Sequence, residues 1–304
     1  MKTYIEKVIF INRAPFDKLE LDFSENEITV LTAINGSGKT TLLSHIVDAW
    51  HEMARPHFSM EFEEKENKFY RVSSPIYNLI QHQPSFVYIR FKTIEGNIDY
   101  VDIRNKCTEE EYNRLIQIEG KIPFSEIKPS LDEANNVKHT SSIFNKQTAE
   151  KIFFNNLVTY FPSYRFEAPG YLNEPYKVNL DFKKLSGYTG YLKNPLEVIT
   201  GLPQLANWIM DIVLDIRMNQ TLPDMIVFNN LNNLITQTLI SKKLGALRFG
   251  IGSRGMGSTR IQIINSQTNQ QIYPTIFNLS SGESSMLCLF GELLRQADNY
   301  SNNI

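Results

Sequence analysis

A glycine-rich segment near the N-terminus carries the residue types that bind phosphate. It comprises Asn35, Gly36, Ser37, Gly38, Lys39, Thr40 and Thr41. Glycines let a backbone turn tightly and point consecutive amides inward, and a helix that follows presents unpaired N–H groups and its positive dipole end. We expect Lys39 to reach the β and γ phosphates of a nucleoside triphosphate, and the Thr40 hydroxyl to ligate Mg²⁺. The segment therefore predicts a phosphate-binding loop.

One position departs from the full form of this loop. Ala33 stands where G-x-x-x-x-G-K-[ST] has its first glycine. The glycines that face the anion remain, so we interpret the change as tolerated, with a lower nucleotide affinity. The alternative is a Gly-Ser turn that an incidental lysine follows.

A second candidate anion site lies near the other end of the chain, where Leu279-Ser280-Ser281-Gly282-Glu283 precedes an amphipathic helix. Ser280 and Ser281 are good helix caps, and Gly282 permits close approach of another backbone. By itself this pattern is also typical of plain helix capping. Together with the phosphate loop, it favours a second group of amides that contacts a nucleotide.

The elements around the phosphate loop are predicted from apolar spacing. Runs at 4–11, 19–23 and 28–31 indicate three strands, and the third enters the loop. Apolar residues at one helical face predict a helix over 40–53. The alternation of apolar and polar residues over 58–103 indicates an antiparallel meander. The polar composition of 104–150 predicts an exposed or mobile insertion, with a partner-docking arm as the alternative.

The second half of the chain predicts one more central strand and a helical lobe. A nearly continuous apolar run at 152–161 suits a strand covered on both faces. Helical spacing at 202–218 and 225–240 is followed by strand-like runs at 246–252 and 260–265. A last helix over 283–297 carries a stripe of apolar residues on one face. The stripe consists of Met286, Phe290, Leu293 and Ala297, with Leu287 and Leu294 beside it.

The two motifs, in this order, resemble the signature pair of ABC-type ATPases among the AAA-family P-loop ATPases, whose signature turn reads LSGG or LSSGE. The resemblance implies an α/β fold with a mostly parallel central sheet, an antiparallel side sheet and a helical lobe. Residues 1–103, 104–150 and 151–304 would then be an N-terminal lobe, a polar insertion and the rest of one ATPase domain. The resemblance also implies a homodimer or higher oligomer that forms around ATP and Mg²⁺. Ser280 and Gly282 of one copy would contact the γ-phosphate bound at Lys39 of another, beside Ser281 and Glu283.

The spacing between the two motifs narrows the choice of subfamily. Gly282 follows Lys39 by 243 residues, which is too long for a transporter head, and no sustained heptad indicates a coiled coil. The chain is similar to SMC- and OLD-like ATPases of prokaryotic phage defence, above all the Septu-type and retron-associated ones, which implies an HNH-type partner nuclease. Residues 160–173 are similar to a Septu-type stretch. There Arg165 or Glu167 would replace the usual Q-loop glutamine, or they form an ion pair that fixes the loop.

The resemblance also implies a strand that this sequence lacks. An apolar strand ending in Asp-Glu should follow the signature helix, but only 22 residues follow Gly282. Residues 212–215 resemble such a strand, because three apolar residues precede an aspartate, but the apolar residues around them have helical spacing. We expect either a longer natural chain or a strand from another polypeptide. Two other functions stay open: a scaffold or sensor that binds ATP without hydrolysing it, and an SMC-like DNA-repair ATPase.

Further residues are candidate binding groups. G-x-G-x-x-G at 250–255 precedes a strand-like run instead of a helix, which favours a hairpin tip over a dinucleotide site. Arg13, between the first two strands, is a candidate nucleotide contact by the same resemblance. Five cations form the main basic cluster and predict either a solvated face or a nucleic-acid contact. They are Lys242, Lys243, Arg248, Arg254 and Arg260.

Composition excludes several classes of protein. The 304 residues, 42% hydrophobic, suffice for a full core, and 31 Lys and Arg against 33 Asp and Glu leave a net charge of −2. No overall field therefore favours nucleic acid or an anionic membrane. Two distant cysteines, Cys107 and Cys288, and no apolar run near the ~20 residues of a membrane span predict a cytoplasmic protein. The five histidines show no metal-ligand spacing, which indicates core or surface positions.

Overall fold

The computed structural model describes residues 2–25, 27–58, 78–161, 197–199, 201–218, 222–253 and 260–301. These residues form two compact units. Unit 1 contains the described residues up to Tyr160, with Glu197, and unit 2 contains Phe161 and the described residues from Val198 onward. No helix in the described ranges is both long enough and apolar enough to cross a membrane.

Unit 1 is built on a five-stranded sheet that is antiparallel throughout. Its strands are β1 (Thr3–Arg13), β2 (Phe16–Asp22), β3 (Ser85–Thr93), β4 (Gly96–Arg104) and β5 (Asn136–Thr140). Their order across the sheet is β2-β1-β3-β4-β5. The predicted antiparallel meander is confirmed for β3 and β4, while its first part, 59–77, lies outside the described residues.

Helices cover both faces of this sheet. They are α1 (Lys39–Ala54), α2 (Glu109–Leu115), α3 (Phe124–Glu133) and α4 (Lys146–Asn155). On one face α1 and α4 bury Trp50 and Phe153 against Phe10 and Ile89. On the other face α2 and α3 bury Tyr112 and their apolar residues against alternate strand positions. Short strands β6 (Thr159–Tyr160) and β7 (Glu197–Val198) pair with each other.

Unit 2 packs three helices with a three-stranded antiparallel sheet. The helices are α5 (Leu202–Met218), α6 (Leu222–Thr238) and α7 (Ser281–Ser301), and the strands are β8 (Leu247–Ile251), β9 (Ile261–Asn265) and β10 (Gln271–Tyr273). Short 3₁₀ helices span Ile240–Lys242 and Ile276–Asn278. Leu205, Ile209, Ile235, Phe249 and Leu287 are buried in one core. The helices and the β8–β9 hairpin confirm the predicted elements of this lobe.

The predicted parallel central sheet is not supported, since the five-stranded and three-stranded sheets are antiparallel. Residues 28–31, predicted as a central strand, form no strand. Ile28 and Val30 are instead 94% and 75% exposed. A strand requires a hydrogen-bonded neighbour, and none of the described residues provides one for this segment.

The strand predicted over 152–161 is wrong for most of its length. Residues 152–155 belong to α4, and only Thr159–Tyr160 are extended as a strand. Asn145 caps α4, because its side chain accepts a hydrogen bond from the Thr148 amide at 3.0 Å. The helix buries Ile152 and Phe153 and exposes Phe154, so a short apolar run was one turn of an amphipathic helix.

The segment 104–150 is not the exposed excursion that its polar composition predicts. It forms α2, α3, β5 and the start of α4. Tyr112, Ile116 and Ile127 are each 0% exposed and pack on the sheet. A small number of apolar residues at helical spacing is enough to give a helix one buried face. The polar residues that make up most of the segment lie on the side that faces solvent.

Helix α7 is confirmed, but its buried face differs from the predicted stripe. Leu287 and Cys288 are buried, whereas Met286, Phe290 and Leu293 are 41–50% exposed. Ala297 of the stripe is exposed as well. Residues 212–215, which imitate the missing strand, lie inside α5. Arg165, Glu167 and most of 160–173 lie outside the described residues.

Candidate nucleotide site

The glycine-rich loop lies directly before α1, as predicted. Gly36 and Gly38 have φ angles of +85° and +99°, in the left-handed region that favours glycine. Gly38 is the N-cap of α1, and Lys39 is its first residue. Residues 35 and 36 and Thr40 are exposed, while Ser37, Lys39 and Thr41 are half-buried. The chain therefore makes a tight turn of small residues into an open helix N-terminus.

The Lys39 ammonium lies over this loop. It donates hydrogen bonds to the carbonyl oxygens of Ala33, at 2.6 Å, and of Ile34, at 2.9 Å. The Ser37 hydroxyl also donates to the Ile34 oxygen, at 2.8 Å. Phosphate oxygens are charged and form stronger hydrogen bonds with an ammonium than carbonyls do. Lys39 thus fits a triphosphate held by the loop, and Ala33 contributes only a backbone oxygen.

The first turn of α1 is left open to an anion. No side chain caps it, and it contains no acidic residue. The first turn of α2 is the opposite case, since Thr108 and Glu111 cap it reciprocally and three glutamates occupy it. Carboxylates at a helix N-terminus neutralise the positive end of its dipole. Of these two helices, only α1 keeps its N-terminal charge for a ligand.

The turn between β1 and β2 fixes the position of the loop. A Cβ atom on Gly38 would lie 2.4 Å from Phe16 Cζ and 2.6 Å from Pro15 Cγ. A Cβ on Gly36 would meet nothing within 4 Å. The two glycines share a backbone conformation, but only Gly38 is also packed against a neighbour. Residues 15 and 16 therefore hold the loop where α1 begins.

Gly38→Ala is expected to destabilise the protein by about 1–3 kcal/mol more than Gly36→Ala. Both variants introduce strain at a positive φ, so their difference isolates the clash with Phe16 and Pro15. Urea unfolding of the two variants and the wild type measures this difference. Equal losses of the free energy of unfolding would show that the turn does not pack on the loop.

A buried ion pair in unit 1 was missed by sequence reasoning. Arg13 is 0% exposed, and both of its terminal nitrogens donate to the two carboxylate oxygens of Asp102 at 3.1 Å. Its Nε donates to Ser85 Oγ at 3.2 Å. Burial alone would raise the pKa of Asp102, but the adjacent Arg13 charge and its hydrogen bonds hold that pKa below the usual value. The predicted nucleotide contact of Arg13 gains no support from this position.

Charged groups also attach α1 to the sheet. Asp48 and Glu52 lie on the helix face that meets β5, where Lys138 Nζ approaches their oxygens at 2.6 Å and 3.3 Å. Burial raises the pKa of Asp48, although Lys138 opposes that shift. The helix that begins at the phosphate loop is thus held to the sheet by ion pairs as well as by apolar packing. No short sequence pattern signals these contacts, because Lys138 is 90 residues from Asp48.

One group in the described part of the chain has the composition of a metal site. Ligand atoms of His45, Asp48 and Asp102 lie within 4.8 Å of one another, and all three residues are buried. Arg13 already binds both oxygens of Asp102, and Lys138 binds Asp48. These cations compensate the carboxylates that a metal would need. The group is therefore an internal charge network, and His45 occupies a core position, one of the two kinds predicted for the histidines.

The signature turn caps α7 in unit 2. Glu283 Oε2 accepts hydrogen bonds from the Ser280 amide at 2.9 Å and from the Ser280 hydroxyl at 2.8 Å. Ser280, Ser281 and Gly282 are exposed, and a Cβ on Gly282 would meet nothing within 4 Å. The turn therefore has the geometry of a helix cap, the plainer of the two interpretations. The packing of the described residues does not explain the glycine.

The predicted basic cluster is partly engaged in internal contacts. Lys242 pairs with Glu283, and Arg248 donates to Asn269 Oδ1 at 3.0 Å. Arg260 lies near the Met210 sulfur. Arg254 lies outside the described residues, and Lys243 forms no ion pair with any described residue. A nucleic-acid contact by this cluster stays a prediction.

The two cysteines, Cys107 and Cys288, are both free thiols and form no disulfide.

The loop, its lysine and the open helix N-terminus have the arrangement that is typical of a P-loop nucleotide-binding site. Residues 7–207 match the family model described as an AAA domain. Because this match spans about two thirds of the chain, the protein belongs to that family. The matched part contains the phosphate loop and ends before the signature turn. No curated protein matches the chain.

Proposed function

We propose that this protein is an ATP-binding head of ABC type, two copies of which pair around ATP and Mg²⁺. In each site Lys39 and the amides of residues 36–41 hold the triphosphate, and Thr40 ligates Mg²⁺. Ser280 and Gly282 of the second copy close over the γ-phosphate. Bound Mg²⁺ neutralises charge on the phosphates. The paired state controls a partner effector, an HNH-type nuclease, in phage defence of the Septu or retron type.

One observation carries the nucleotide part of this proposal. Lys39 begins a helix whose first turn has neither a capping side chain nor an acidic residue, and its ammonium lies over the glycine loop. A helix N-terminus with this loop is a site for phosphate. Membership of the AAA domain family agrees with this assignment.

Pairing is supported by the signature turn. Gly282 lies in the first turn of α7, where glycine costs about 1 kcal/mol relative to alanine. Its φ is not positive, and no atom of the described parts of the chain lies close enough to require glycine there. A backbone without a side chain at an exposed helix start admits a second molecule at close range. Effector control and phage defence rest on the resemblance of the two motifs alone.

Sedimentation of the full chain with and without ATP and Mg²⁺ tests this function. We expect ATP to shift the wild type toward a dimer, and Gly282→Ala to raise the ATP concentration needed by about tenfold. The variant should unfold at the same or higher urea concentration, because alanine favours a helix. Gly201→Ala, just before α5, is the matched control and should associate as the wild type does. A mass that does not respond to ATP would refute the paired state.

The non-hydrolysing scaffold or sensor is distinguished in the same samples. Phosphate release that accompanies ATP-dependent pairing identifies an ATPase. Pairing that persists with ATP intact identifies a sensor that responds to binding alone. Both outcomes keep the phosphate loop as the nucleotide site.

A further inference from the structure

Lys242 joins the signature turn to two other elements of unit 2. It is the last residue of the 3₁₀ helix after α6, and its ammonium lies 2.6 Å from Glu283 Oε1. The same ammonium donates to the Tyr273 hydroxyl on β10 and lies 5.1 Å from the centre of that ring. One lysine therefore contacts both the sheet and the first turn of α7.

The Glu283 carboxylate is shared between this lysine and the turn. One oxygen pairs with Lys242, and the other accepts from the amide and the hydroxyl of Ser280. Burial would raise the pKa of Glu283, but hydrogen bonds from Lys242 and Ser280 hold that pKa below its usual value. The hydrogen bond to Glu283 raises the pKa of Lys242. Both side chains are thus charged at neutral pH.

An ionised glutamate in the first turn has opposite effects on the helix and on a ligand. It stabilises the N-terminus of α7, but it would repel a triphosphate that approaches Ser280. Lys242 neutralises this charge and holds the Glu283 carboxylate toward the 3₁₀ helix. The next residue, Lys243, forms no ion pair with any described residue.

We infer that Lys242 is a positioning residue of the signature turn, which neutralises Glu283 and fixes it on Ser280 so that the turn accepts the γ-phosphate of ATP bound by a second copy. The inference rests on the proposed function. It differs from a nucleic-acid role for the basic cluster, because it assigns the Lys242 charge to Glu283 instead of to an external polymer.

The test is the ATP concentration at which the full chain pairs. Lys242→Met leaves Glu283 uncompensated and should raise that concentration about tenfold. Lys242→Arg should restore pairing, since arginine keeps the charge and the hydrogen bonds. Lys243→Met is the matched control and should pair as the wild type does. Lys242→Met should still bind ATP in the dilute monomer, where the phosphate loop of the same copy holds the phosphates without the signature turn.

A charge-specific rescue separates this role from simple stabilisation. Glu283→Gln added to Lys242→Met removes the uncompensated charge, so the double variant should pair within about threefold of the wild type. Wild-type pairing by Lys242→Met, or a double variant no better than Lys242→Met, would overturn the inference while leaving the proposed function intact. A wild type that binds ATP without pairing would refute the paired state, and the inference with it.

Discussion

Lys39→Ala is expected to reduce ATP turnover about 100-fold or more, because in the proposed site its ammonium is the charged donor to the β and γ phosphates. ATP affinity should fall by about tenfold to a hundredfold, the loss expected for a hydrogen bond to a charged group. Titration with a fluorescent ATP analogue measures binding, and phosphate release measures turnover. Urea unfolding should change little, since the hydrogen bonds of Lys39 to described residues go to carbonyl oxygens of an exposed loop.

Lys146→Ala provides the matched control for this loss. Lys146 is likewise the first residue of its helix, α4, but Asn145 caps that helix and no glycine loop precedes it. Its side chain is 72% exposed and forms an ion pair with Glu150. ATP binding should be unchanged in this variant. If Lys39→Ala bound ATP with wild-type affinity, the loop would not be the nucleotide site.

Asp102→Asn is expected to lower the free energy of unfolding by about 3–5 kcal/mol, because it leaves the Arg13 charge buried without its partner. Arg13 is completely buried, and the Asp102 side chain is 4% exposed. Replacing both residues by apolar ones, as in Arg13→Met with Asp102→Leu, should cost less than the single change. Urea unfolding of the three proteins measures these differences.

Asp22→Asn is the surface control for the buried pair. Asp22 is 72% exposed beside Lys7, so its loss should change the free energy of unfolding by less than about 0.5 kcal/mol. The pKa of Asp102 is lowered in the fold, so its contribution is present above pH ~4 and is lost as the pH falls further. The wild type and Asp102→Asn should therefore approach each other in stability at acidic pH. A constant difference down to pH ~2 would contradict the assignment.

Two segments show where local sequence patterns led to the wrong element. The apolar runs at 152–161 and the polar segment 104–150 were assigned from local patterns, and both formed other structures. Asn145 caps α4, and Tyr112 packs beneath the sheet with its hydroxyl donating to the Ile122 carbonyl at 2.9 Å. Short apolar runs and sparse apolar residues do not distinguish a strand from a helix until their neighbours are known.

The candidate site likewise has a part that local sequence predicts and a part that it does not. The sequence by itself determined the phosphate loop, the helix after it and the capped turn before α7, because glycines, caps and helical periodicity act over a few residues. Only the tertiary structure decided that Arg13 is an internal ion-pair residue, that Lys138 holds α1 to the sheet and that Lys242 neutralises Glu283. These pairs join residues 41 to 90 positions apart. Charged side chains so distant in sequence find their partners only when the folded chain brings their elements together, a long-range effect that no local pattern records.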